Sequence, residues 1–124
     1  MSETFLPELP QELWRAGELE LAHGVKQFLR VMRVASAAMG RFLAEIESWG
    51  SKDLYGYGST AAWFADVAGL SRGEAQSVVK RAIALNPTRA LDGGEVPAVA
   101  PTTAAVAAEG LIGEHRIDQI LDIL

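Results

Sequence analysis

Apolar residues recur through the first half of the chain at alternating steps of four and three. Leu21, Val25, Phe28, Met32, Ala35, Met39, Phe42, Ile46 and Trp49 form one stripe with a heptad-like rhythm, the pattern of an amphipathic helix. Upstream the stripe is poorer. Trp14 is in phase with Leu21, but Gly17 and Glu18 stand between them. Pro10 suits the first turn of a helix, with Glu12 near its positive end. A mostly helical segment is therefore expected from Pro10 to Trp49. Gly17 and Gly24 are the places where it would break or bend, since glycine costs about 1 kcal/mol against alanine in a helix interior. Gly50 is the expected stop.

Ser51 to Gly58 reads as a turn-rich connection. Ser59 or Thr60 then caps a helix to about Ala68, and Gly69 ends it. Ser71 and Glu74 have the S-x-x-E spacing of a capping box. The helix they open should stop at Leu85, because Asn86 precedes Pro87 and such residues avoid the helical region. Residues 86–100 read as a loop, with room for one helical turn at Thr88 to Leu91. Pro101 to Glu109 reads as an Ala-rich helix ended by Gly110. Gly113 to Leu124 reads as a last helix with Ile117, Ile120, Leu121 and Leu124 on its apolar side. No segment has the period-two pattern of a strand. The expected fold is all-α: residues 1–9 a loose acidic leader, and 10–124 one helical domain made of a long helix and two helical hairpins. The two hairpins share a small-residue helix and a Gly-Leu turn, a likeness that convergence of such turns explains.

A chain of 124 residues with 49% hydrophobic and 22% charged residues is ordinary for one globular domain. The absence of cysteine excludes disulfides, thiolate metal sites and cysteine nucleophiles. The acidic start has no apolar run after basic residues, and no stretch approaches the length of a membrane span. A cytoplasmic location is expected. The net charge of −5 counts against a non-specific DNA binder. That charge is uneven: Glu3, Glu8, Glu12, Glu18 and Glu20 against Arg15 leave −4 in residues 1–24 and −1 in the rest.

Ser59 to Leu85 is the stretch with most bearing on function. A short helix, a Gly-Leu-Ser turn and a second helix make a helix-turn-helix pattern. In the second helix Ala75, Val78, Val79, Ala82 and Leu85 are expected to face inward. Arg72, Gln76, Lys80 and Arg81 are the candidate DNA-contact residues on its polar side, together with Ser77. Cations there would meet phosphates, and Arg72 or Gln76 would reach a base edge. The competing reading is a plain helical hairpin with a solvated polar face, since fold shape alone is weak warrant for function. A secondary basic stripe, Lys26, Arg30, Arg33 and Arg41, lies on the long helix away from the apolar stripe. It would track a phosphate backbone or an acidic partner, or be a solvated face, and the acidic leader folded over it is a third arrangement. His23 and His115 have no ligand set around them, so no metal or other cofactor is expected. Asp118 and Asp122 read as a solvated pair, and Trp63 and Phe64 as core anchors. No acid-base constellation points to an enzyme.

Gly58-Ser59, Ala62-Trp63 and Gly69-Leu70-Ser71-Arg72-Gly73-Glu74-Ala75, continued by Ala82 to Leu85 and by Gly110-Leu111 to Glu114-His115-Arg116-Ile117, resemble the actinobacterial 13E12-repeat proteins. These carry the domain of unknown function 222. The resemblance covers roughly residues 25–124. It implies a helical domain that often precedes an HNH endonuclease domain, and so a DNA-directed role for the longer members. The HNH motif itself is absent: the only asparagine is Asn86 and the two histidines are remote. The apolar pattern still running at Ile120 to Leu124 fits a truncated member. Its expected partners are double-stranded DNA, a nuclease domain or another copy of itself. The alternative is a structural or dimerisation module that binds no nucleic acid.

Overall fold

A computed structural model describes residues 6–50, 56–90 and 92–124. Residues 51–55 of the turn-rich connection, the first five residues of the leader and Leu91 lie outside them. The chain is mostly helical. A short 3-10 turn, Leu13–Arg15, precedes α1 (Glu18–Ser48), α2 (Thr60–Ala68) and α3 (Arg72–Leu85). Two short strands follow, β1 (Thr88–Arg89) and β2 (Glu95–Val96), and then α4 (Pro101–Ala108) and α5 (Glu114–Ile123).

Local chemistry sets these boundaries. Gly17 is the N-cap of α1, so the helix expected from Pro10 begins only at Glu18, after the 3-10 turn Leu13–Arg15, whereas Gly24 is carried inside the helix. Gly50 takes a positive φ just past the end of α1. The Ser59 side chain accepts from the Ala62 N–H and caps α2. Ser71 and Glu74 form a complete capping box: Ser71 Oγ accepts from the Glu74 N–H at 3.1 Å and Glu74 Oε1 from the Ser71 N–H at 3.0 Å. Between α2 and α3, Gly69 adopts φ +70, a conformation that costs a residue with a Cβ about 1–2 kcal/mol.

The fold is largely helical as expected, and the departure is local, in the segment after α3. Thr88 pairs with Val96 and Arg89 with Glu95 in a small antiparallel ladder, where a helical turn was expected. Gly93, at φ +87, turns the chain back. Its neighbours close the turn, with the Ala90 N–H donating to the Gly94 carbonyl at 2.7 Å. Two pairs are too few to leave a period-two pattern, so the ladder is invisible to periodicity. The hairpin is fixed to the end of α1: Arg89 reaches Glu45 at 3.4 Å and its N–H donates to Ser48 Oγ at 3.3 Å. Glu45 also accepts from Trp49 Nε1 at 2.7 Å, and the two donors hold its carboxyl below the usual carboxylate range.

Two apolar clusters hold the domain. In the first, Leu43 of α1, Phe64 of α2, and Ala75 and Ala82 of α3 are buried, with Trp63, Ala65, Leu70 and Val78 packed around them. In the second, Leu85, Ala100, Ala107 and Ile117 bring α4 and α5 onto the end of α3. Small residues permit close crossings. A Cβ on Gly40 would lie 3.5 Å from that of Ala82. Gly110, at φ +75 between α4 and α5, sits so tightly on α1 that a Cβ would stand 2.7 Å from the Arg30 carbonyl oxygen.

The face of α1 that meets the other helices is not the heptad stripe. Gly40, Leu43 and Ala44 are its buried residues, and Arg33, Ser36 and Ala37 are half-buried beside them. At about 100° per residue, this face lies about a third of a turn from the stripe. Leu21, Val25, Met32, Met39, Phe42 and Trp49 remain 40–76% exposed. Close packing chooses small side chains here, and the large ones are left outside.

Candidate functional site

The exposed surface of α3 is the centre of the candidate site. The capping box fixes where α3 begins, and burial of Ala75, Val79, Ala82 and Leu85 fixes its rotation. With that face inward, Arg72, Gln76 and Lys80 fall one turn apart along one flank, and all three are exposed. Ser77 is exposed beside them. Glu74 is engaged by the cap, which lowers its pKa through the backbone and side-chain hydrogen bonds to Ser71. Gln76 and Lys80 border a shallow depression shared with Ser59, Ala61 and the acidic Glu47. Two cations and one amide thus line up on α3, with a carboxylate on the opposite wall.

Arg81 does not belong to this group. One step from Lys80 turns it about 100°, onto the flank that meets α5. Its side chain is only 11% exposed. Nε and Nη2 donate to the two carboxylate oxygens of Asp118 at 2.8 and 2.9 Å. Glu114 Oε2 stands 3.7 Å from Nη1, and the other oxygen of Glu114 accepts from Ser36 Oγ at 3.0 Å. The fourth candidate contact is therefore a tie between α1, α3 and α5. Asp118, expected to be solvated, is its partner, and Arg81 holds the Asp118 carboxyl below its usual range. The signal available in the sequence was one of phase: Arg81 lies on the opposite flank from Arg72, Gln76 and Lys80.

The basic stripe of α1 is divided in the same way. Lys26, Arg30 and Arg41 are exposed and Arg33 is half-buried. Arg30 Nε donates to the Glu109 carbonyl at 3.1 Å. The Arg33 guanidinium lies against Gly113, where a Cβ would approach Nε to 3.3 Å. Arg30 and Arg33 therefore face the α4–α5 turn. In the leader, Glu12 pairs with Arg15 at 2.8 Å.

A wide cleft of about 780 Å³ runs between α1, α3, α4 and α5, with Ala82, Leu85, Ala107 and Ile117 in its walls and Met32 and Met39 among its lining residues. Its charged residues include Arg81 and Glu114, which are already joined to other groups. Among the described residues no three His, Cys, Asp or Glu side chains are grouped to hold a metal ion. Among them, too, no helix is long and apolar enough to cross a membrane. Trp63 and Phe64 are core residues, Phe64 buried and Trp63 packed on the same cluster. Compared with known proteins, the chain matches no family model, no curated protein and no solved structure.

Proposed function

We propose that this chain is a non-catalytic helical module of the 13E12-repeat kind that contacts duplex DNA in the cytoplasm through α3. One observation carries the reading: α2, the Gly69 turn and α3 form a compact helix-turn-helix-like unit that leaves Arg72, Gln76 and Lys80 aligned and exposed. The resemblance adds weight, since Trp63, Gly69, Ser71 and Glu74 are the residues that pack, turn and cap this unit. Arg72 and Lys80 neutralise phosphates, and Gln76 stands nearest the base edges. An associated HNH nuclease domain would supply chemistry that this chain lacks.

The contact is weak for one copy. Two phosphate contacts give a slope of log affinity against log salt of about −2. Fluorescence anisotropy with a duplex oligonucleotide at low and moderate salt tests the reading. The Arg72→Ala/Lys80→Ala variant should lose binding and the salt slope with it. Arg81 is left intact, because its removal would loosen the fold. Absence of binding by the unaltered chain at low salt, where charge effects are strongest, would overturn the reading in favour of a structural or dimerisation module.

A further inference from the structure

Most of the stripe on α1 stays exposed, yet it is the longest regular feature of the chain. Its 3.5-residue period runs unbroken from Leu21 to Trp49, four heptads, which is the signature of a helix that supercoils with another. Val25, Met32, Met39 and Ile46 take the a positions. Leu21, Phe28, Ala35, Phe42 and Trp49 take the d positions. From Leu21 to Leu43 no a, d, e or g position holds a charged residue.

Phe42 and Trp49 alone expose about three quarters of their surface, on the order of 300 Å² between them. With the aliphatic members the patch exceeds the few hundred Å² usual for a monomer. Its burial by a matching seam reaches the roughly 1,200 Å² at which stable interfaces begin.

We propose that the seam of α1 is the docking surface for α1 of a second copy, in antiparallel order. Length selects the occupant. A four-heptad seam needs a helix of about 42 Å, and among the described elements only α1, with 31 residues, is long enough, α3 having 14. The absence of charge along the seam from Leu21 to Leu43 disfavours a partner held by ion pairs, and Glu45 beyond it is already bonded to Trp49 and Arg89. Side-chain size selects the direction. Antiparallel pairing sets Val25 against Trp49, Phe28 against Ile46, Met32 against Phe42 and Ala35 against Met39. Each layer then combines unequal or complementary side chains. Parallel pairing would stack Trp49 on Trp49 and leave Ala35 opposite Ala35, alternately crowded and empty. The α3 flank of Arg72, Gln76 and Lys80 is not part of this seam, so self-association does not depend on DNA contact.

Sedimentation of the full chain without DNA tests the proposal. The expected mass rises with concentration towards twice 13.3 kDa. The Met32→Glu/Phe42→Glu variant should weaken association at least about 30-fold while keeping its helical circular dichroism, because both side chains are exposed in the single copy. Under mild oxidation the V25C/W49C variant should form a linked dimer and W49C alone should not. A mass of one chain at every concentration overturns the proposal. So does a dimer that survives the glutamate pair, linkage by W49C alone, or a monomer whose seam instead binds anionic vesicles.

Discussion

Arg81 and Asp118 share two parallel hydrogen bonds, 2.8 Å from Nε and 2.9 Å from Nη2, across the junction of α3 and α5. Hydrogen bonding to Arg81 is the main cause that lowers the Asp118 pKa, opposed by partial burial and helped by the guanidinium charge. A carboxylate held below its unfolded pKa stabilises the fold above that pKa, and the contribution is lost as pH falls through the folded value. Resistance to thermal unfolding should therefore fall below about pH 4. Asp118→Asn should lower stability at neutral pH by about 1–2 kcal/mol, since it strands a half-buried guanidinium that Glu114 only partly serves. The variant should also lose less stability than the unaltered chain between about pH 5 and 2. Equal acid sensitivity in both proteins would place the titrating groups elsewhere.

Two turn glycines have nearly the same backbone and different surroundings. Gly69 has φ +70 and Gly110 φ +75, but a Cβ on Gly69 meets nothing within 4 Å. Gly69→Ala should cost only the conformational strain, about 1–2 kcal/mol. Gly110→Ala adds a clash with the Arg30 carbonyl oxygen and with Val34, 2.7 and 2.8 Å from the new carbon. It should cost about 3 kcal/mol. Urea unfolding of the two variants side by side measures the difference. Equal losses would mean that the α4–α5 turn does not press on α1.

The capping box was legible at the level of single residues, and it makes its own prediction. Ser71→Ala removes one acceptor from the start of α3 and should cost about 1 kcal/mol, which is about 4 °C in a domain of this size. The same variant frays the turn that carries Arg72, so any DNA contact should weaken with it. An unchanged melting temperature would show that packing against α2 alone sets the start of α3.

How far the sequence could be read depends on the range of the interaction. Caps and turns are local, so Ser59, Gly69, Ser71 with Glu74, and the stop before Pro87 could be placed from neighbouring residues alone. The inward side of α3 was also legible, because Ala75, Val79, Ala82 and Leu85 repeat with the helix. The β1–β2 ladder was not, since two residue pairs leave no period. Nor was the role of Arg81, whose partner is 37 residues away in α5. The largest departure concerns α1. Hydrophobicity marks the face that would gain most from burial, but this fold packs α1 by close approach, which favours Gly40, Ala44 and Leu43 over Phe42 and Trp49. The two criteria diverge because a seam can be buried by a second chain, and a single sequence does not distinguish that from its own core.

Phe42 and Leu43 carry this distinction into one experiment. They are adjacent on α1, yet Phe42 is 73% exposed and Leu43 only 2%. Leu43 fills the space between Phe64, Ala75 and Ala82, so Leu43→Ala leaves a cavity and should cost about 2–4 kcal/mol. Phe42→Ala removes a larger side chain from a solvated position. At protein concentrations low enough to keep single copies, it should change stability by no more than about 0.5 kcal/mol. At high concentration the order should shift, because a side chain that packs only against a second copy stabilises in proportion to the population of dimer. Unfolding followed over a range of protein concentrations reads both terms. A Phe42→Ala loss that is large and independent of concentration would mean that α1 is rotated in the single chain, with the heptad stripe turned into its own core.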